Sequence, residues 1–174
     1  MPVSPPSGLT RFFEDLEVGE VKSSSVRRLT REEITTFARQ YDPQWFHADA
    51  DAARESVWGE VVASGIQTMA LWRQLDHEIA HDIAWICGVG WDRVRWPRGL
   101  KADVPVRARS TVLSKRPSSS DPMRGVVVMR YELLDDRDGQ PVWVAEGTNL
   151  IRRRHPATAS GTRSGTSAPI DPVA

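Results

Sequence analysis

Cysteine is almost missing: Cys87 stands alone in a chain of 174 residues. A disulfide within the chain and an all-cysteine metal site are therefore excluded. Cys87 lies in the apolar run Trp85-Ile86-Cys87, so it is expected in the core rather than as a reactive thiol. Net charge is missing too. Lys plus Arg and Asp plus Glu both number 23, so broad attraction to nucleic acid or to an anionic membrane is not indicated. No apolar run reaches the roughly 18 residues of a spanning helix. Residues 1–9 lack the basic-then-apolar order of a signal peptide. The expectation is a soluble, cytoplasmic protein. What is abundant is arginine, which supplies all but three of the 23 basic residues and reads as compositional bias. Tryptophan, at seven, is frequent for this length.

The ends differ from the middle. Residues 1–9 carry three prolines and two serines and read as a flexible lead. Residues 155–174 are mostly Ala, Ser, Thr, Gly and Pro and bury too little apolar surface to offset ordering entropy, so a disordered tail is expected. The run Arg152-Arg153-Arg154 before it reads as a solvated strand end. A single domain over residues 10–154 remains.

Within that domain, Val21 to Leu29 is expected as an edge strand. Thr30 and Glu33 have capping-box spacing. Ile34, Phe37, Ala38 and Tyr41 then recur at helical intervals, so a helix is predicted to end near Tyr41. Asp42-Pro43 stops it, because the residue before proline disfavours the helical region. The segment that follows is expected to be an irregular loop, with a further helical turn or two in Asp49–Glu55. Ser64 is the predicted N-cap of a long helix reaching about His81, with Ile66, Met69, Ala70, Trp72, Leu75 and Ile79 over a wide apolar arc. After it the period changes to two. Gly88–Trp96, the alternation from Val104 to Thr111, Gly125–Leu134 and Pro141–Ile151 read as strands. Asp136-Arg137-Asp138-Gly139 reads as a hairpin turn. One long helix wrapped by an antiparallel sheet is the hotdog architecture of the α+β class.

The chemistry concentrates in Asp42-Pro43-Gln44-Trp45-Phe46-His47 and Ser64-Gly65. An acid and an imidazole five positions apart can share one water and move its protons. Pro43, Gln44, Trp45 and Phe46 stiffen the link between them. Taken alone, Asp42 reads as a turn former and His47 as a packed loop histidine; their sharing one loop, with Ser64-Gly65 following, brings the catalytic reading level with that one. Gly65 would sit in the first turn of the long helix with an unpaired N–H, open to close approach by a carbonyl oxygen. A tight-packing role for Gly65 is the competing reading. His77-Glu78-x-x-His81 matches the H-E-x-x-H zinc pattern, but no third ligand follows it, and helix-end or core histidines explain it better. No metal is assigned.

Asp42-Pro43-Gln44-Trp45-Phe46-His47-Ala48-Asp49 resembles the signature of the MaoC-like dehydratases, which include the (R)-specific enoyl-CoA hydratases. Ala52-Ala53, Trp58-Gly59, Val62-Ala63-Ser64-Gly65 and the block Gly90–Pro97 are similar to the family's further motifs, and the resemblance covers about residues 12–154. It departs from the usual pattern at Gln44 and Trp45, where asparagine and proline stand in the family, and at residues 98–103, which lack the usual glycine and proline. The resemblance implies a hotdog homodimer and an acyl-CoA thioester substrate, with no cofactor beyond the CoA that the substrate carries. It implies that Asp42 and His47 activate water for addition to a trans-2-enoyl-CoA. The Gly65 N–H, with Ser64 beside it, would bind the thioester oxygen, and the product would be an (R)-3-hydroxyacyl-CoA. Two other readings stand beside this one. In a hotdog thioesterase the polar candidates near the central helix would be Glu60 and Gln67. The other is a non-catalytic acyl-CoA binder or accessory subunit.

Overall fold

The computed structural model describes residues 8–156. The lead at residues 1–9 and the tail at 155–174 lie almost wholly outside the described residues. No helix among the described residues is long and apolar enough to cross a membrane.

Five strands follow and surround three helices: β1 (Val21–Ser23), α1 (Arg31–Tyr41), α2 (Trp45–Ala48), α3 (Gly65–Ala80), β2 (Trp85–Arg95), β3 (Val106–Pro117), β4 (Arg124–Asp135) and β5 (Pro141–Arg152). Short 3-10 turns occupy Phe13–Asp15 and Ala52–Glu55. The strands form one antiparallel sheet in the order β1-β3-β4-β5-β2. Helix α3 lies against it. This is the hotdog arrangement, in the α+β class, that the sequence pattern predicts.

Local chemistry explains the helix boundaries. Thr30 Oγ1 accepts from the Glu33 N–H at 3.1 Å, and Glu33 Oε2 accepts from the Thr30 N–H at 2.7 Å. That reciprocal pair satisfies two donors at the start of α1. At the start of α3, Ser64 Oγ accepts from the Gln67 N–H at 3.2 Å, and Ser64 is fully buried. Between β4 and β5, Gly139 has φ +70°, a conformation that the hairpin turn needs and that glycine adopts without strain.

The core lies between α3 and one face of the sheet. Leu71, Trp72 and Leu75 of α3 meet Ala108 and Val112 of β3, Met129 and Leu133 of β4, and Trp143 of β5. Four aromatic rings meet here, three of them buried and the fourth, Trp91, part-exposed. Trp72 packs on Tyr131 at 4.6 Å, on Trp143 at 4.7 Å and on Trp91 at 5.4 Å between centroids. Truncating a residue such as Leu75, which is 1% exposed, costs about 2–5 kcal/mol in comparable cores.

Four expectations need correction. The strand from Val21 to Leu29 is only Val21–Ser23, with one further bridge from Arg27 to Val106. Ser24 interrupts it: the Ala108 N–H bonds to Ser24 Oγ at 2.9 Å instead of to a backbone carbonyl. Cys87 is exposed, not core. It sits on β2, an outer strand of the sheet, beside a register shift between Trp85 and Cys87, so one side of its backbone has no neighbouring strand. The apolar arc of α3 is narrower than predicted, since Ile66 is 55% exposed and Ala70 is exposed. Finally, the Asp42–His47 segment is not wholly irregular, because residues 45–48 close one helical turn.

Candidate active site

The end of α1 places Asp42. Its N–H donates to the Ala38 carbonyl at 2.9 Å, so Asp42 is the C-cap and its side chain leaves the helix axis. Pro43 and an extended Gln44 (φ −65°, ψ 134°) then reverse the chain into α2. The Ala48 N–H bonds to Gln44 O at 3.0 Å and the Asp49 N–H to Trp45 O at 3.0 Å. Arg39 Nε donates to the Ala48 carbonyl at 3.2 Å, satisfying an acceptor that so short a helix leaves open. This single turn swings His47 inward until it is 8% exposed, while Trp45 beside it stays 49% exposed. Phe46 packs against the core and touches the imidazole ring, with centroids 4.4 Å apart.

His47 Nδ1 lies 2.6 Å from the carbonyl oxygen of Val62. A carbonyl only accepts, so Nδ1 carries the hydrogen and donates it. The other nitrogen, Nε2, is then a free base in the neutral ring. Nε2 stands 4.0 Å from Asp42 Oδ2, too far for a direct hydrogen bond. Two bonds of about 2.8 Å to one water would subtend about 90° across that gap, so both groups can hold the same molecule. Gln44 Nε2 donates to Asp42 Oδ1 at 3.1 Å. One carboxylate oxygen is thus occupied and the other turned toward the imidazole.

Val62 connects this pair to the start of α3. Only two residues, Ala63 and Ser64, separate Val62 from Gly65, about 10 Å of chain at full extension. Val62 is itself held by a bridge to Lys101, and the Ala63 N–H donates to Leu100 O at 2.8 Å. The unusual segment 98–103 therefore braces the site, with Leu100 1% exposed and Asp103 at φ 60°. Ser64 Oγ serves Gln67, and the Ser64 carbonyl accepts from Thr68 Oγ1 at 3.0 Å. The Gly65 N–H belongs to the open first turn, where helix geometry provides no internal acceptor.

One contact at Gly65 carries no local sequence signal. The Trp96 indole covers its Cα, and Trp96 Nε1 donates to the Gly65 carbonyl at 3.2 Å. A methyl group added at Gly65 would meet that ring at 3.1–3.3 Å. Both the close-approach reading and the tight-packing reading of this glycine thus have a physical basis. Asp76 is a second residue without sequence forewarning. It lies on the sheet-facing side of α3, 1% exposed, accepting from Ser110 Oγ at 2.6 Å and from Arg73 Nη1 at 2.6 Å. Burial pushes its carboxyl above the usual range, against the opposing pull of Ser110 and Arg73.

The other candidates lie apart from this pair. Glu60 bonds Lys101 at 2.8 Å on an exposed turn. Gln67 is buried, with Nε2 donating to Glu33 O at 3.0 Å. His77 and His81 face each other at 6.0 Å on the exposed side of α3, while Glu78 turns away to accept from the Ser25 N–H at 3.0 Å.

The chain is similar to several known proteins. The MaoC like domain matches residues 15–130. A MaoC-like dehydratase from Rhodospirillum rubrum superposes with a TM-score of 0.76 at 33% identity, covering 84% of this chain and 99% of that one. The 3-hydroxyacyl-thioester dehydratase Z of Mycobacterium tuberculosis is 27% identical over 121 residues, which is 68% of this chain and 79% of that protein. A mesaconyl-CoA hydratase of Haloarcula hispanica is 36% identical over 73 residues, 42% of this chain, and the match spans only 20% of that longer relative. The matched span runs through the Asp42–His47 turn and the whole of α3, and the chain belongs to the MaoC-like dehydratase family.

Proposed function

We propose that the protein is a hydro-lyase that adds water reversibly to a trans-2-enoyl-CoA, giving an (R)-3-hydroxyacyl-CoA. The observation that carries this reading is the 4.0 Å gap between His47 Nε2 and Asp42 Oδ2, with Nδ1 committed to Val62. Nε2 takes a proton from the shared water as its oxygen attacks the β-carbon, and Asp42 holds the water's orientation. The alkene electron pair moves toward the thioester, and the Gly65 N–H binds the oxygen on which charge builds. One member of the pair then returns a proton to the α-carbon, so water is consumed with no redox partner. The steps call for no metal or cofactor. The dehydratase and hydratase names of the two relatives support the reaction class, and the family resemblance is the ground for the (R) product.

The reading includes a homodimer acting in the cytoplasm. The outer edge of β2, where Ile86 is 43% and Trp91 41% exposed, supports a partner at that side. Incubating purified protein with crotonyl-CoA tests the reaction. Loss of enoyl absorbance without free thiol is expected. Thiol release would instead identify a thioesterase, and neither signal a binding protein. The buried carboxylate of the central helix, Asp76, gives the thioesterase reading no support, because Ser110 and Arg73 occupy its oxygens away from solvent.

A further inference from the structure

Helices α1 and α3 do not close against each other along their length. A groove of about 390 Å³ lies between them, within the roughly 300–1,000 Å³ of small-molecule sites. Leu29, Gln67 and Leu71, each no more than 6% exposed, form its floor. Phe37 and Ala70 add apolar walls. Along α3 the lining runs from Gln67 to Gln74, about 10 Å at 1.5 Å per residue. Both helices also carry the site. Tyr41, which lines the groove, directly precedes Asp42, and Gln67 stands two residues beyond Gly65. No residue of β2, the edge assigned to the partner subunit, is among the described residues that line it.

Gln67 is the polar residue of that floor, and its amide is half satisfied. Nε2 donates to the Glu33 carbonyl at 3.0 Å, but Oε1 is buried and meets no donor among the described residues. Exchanging the two atoms would set an oxygen against the Glu33 carbonyl, so the oxygen is the atom left over. A buried acceptor without a donor forfeits its hydration, and the position favours a ligand that brings a donor. Charge narrows the choice. Arg27, the one cation among the described residues that line the groove, is held by Glu33 at 2.6 Å. A carboxylate on the ligand would meet the amide oxygen with its only cation already paired. A hydrocarbon would leave Oε1 as it is, and an amide would bring a second acceptor to the same floor. A hydroxyl brings the donor with least else to satisfy.

We infer that Gln67 sets specificity: its Oε1 accepts a hydrogen bond from a hydroxyl on an acyl chain lying in this groove, so the preferred thioester carries a hydroxylated chain. The inference rests on the hydratase reading for the reaction at the thioester end. Gln67 lies apart from Asp42 and His47, so it meets the chain and not the reacting carbons.

The test assays the protein with pairs of trans-2-enoyl-CoA thioesters that differ only at the chain end, methyl or hydroxyl, at the hexenoyl, octenoyl and decenoyl lengths. At the length that reaches Gln67, wild type should prefer the hydroxyl end by roughly tenfold in kcat/KM, the size of one hydrogen bond to a buried acceptor. Gln67→Met, similar in length and without either amide atom, should reverse that preference. A substitution that merely loosened the fold would lower both members of a pair alike. A methyl preference or no preference at every length in wild type overturns the inference, as does a hydroxyl preference that survives in Gln67→Met. Either result leaves the hydratase reading standing. Should Gln67→Met fail to fold, the wild-type pairs decide. If no enoyl thioester is hydrated, crotonyl-CoA included, the hydratase reading fails, and the groove is tested alone by calorimetry with the saturated thioesters of the same pairs. Tighter binding of a hydroxylated member, lost in Gln67→Met, supports the hydroxyl seat, and equal binding at every length refutes it.

Discussion

His47 and Val62 are joined by a 2.6 Å bond from ring nitrogen to backbone carbonyl, and that bond decides which nitrogen faces Asp42. His47→Ala removes the base, and Asp42→Asn removes the charge that steers the water. Each should lower kcat with crotonyl-CoA by about 10² or more, as positioned acid–base groups contribute factors of about 10²–10⁴. Full turnover in either variant, with normal thermal unfolding, would exclude the pair from catalysis.

Gln44→Ala frees Asp42 Oδ1 from its 3.1 Å partner. The contact is exposed, so stability should change by no more than about 1 kcal/mol. The carboxylate loses its fixed rotamer, and kcat should fall several-fold while KM holds. A change in melting temperature with no change in kcat would mean that Gln44 only shapes the turn.

Gly65→Ala places a methyl group against the Trp96 ring at 3.1–3.3 Å. A sharp drop in kcat/KM is expected if the Gly65 N–H binds the thioester oxygen. Steric disturbance alone predicts a different result, so the double variant Gly65→Ala with Trp96→Ala is the control. It removes the clash but leaves the methyl group in the path of the substrate, and activity should stay low. Recovery in the double variant would make Gly65 a packing residue. Ser64→Ala should cost about 1 kcal/mol of stability through the lost cap.

Asp76 makes stability depend on pH. Its folded pKa is raised by burial, above an unfolded value near 3.9. The folded state therefore holds the proton more tightly. The stabilisation is complete below the unfolded pKa and is lost as pH rises through the folded one. Asp76→Asn removes that slope. Its melting temperature should gain on wild type as pH goes from about 4 to 8. Parallel curves for the two proteins would contradict the assignment.

Much of this was legible from short-range chemistry. Thr30 with Glu33, Ser64, and the Asp136–Gly139 turn each act within four residues, and all three fall where predicted. Asp42 and His47 were legible as neighbours because α2 needs only one turn to bring them within 4.0 Å. That turn itself was not legible: four residues carry no periodicity, and Arg39 closes it from a separate helix. Trp96 over Gly65 and Ser110 against Asp76 join residues about 30 positions apart, and a buried carboxylate looks like a surface one until its partner strand is placed. Cys87 failed for a related reason. Its apolar neighbours suggested burial, but exposure there is set by which strand ends the sheet.

The rings of Trp72, Trp91, Tyr131 and Trp143 bring one helix and three strands into mutual contact. Their asymmetric packing exists only while α3 is seated on the sheet. Near-ultraviolet circular dichroism of the native chain should therefore be strong, and it should vanish before the far-ultraviolet signal in any compact state that keeps its helices but loses its fixed interior. The protein thus carries an intrinsic optical gauge of whether its central helix is docked.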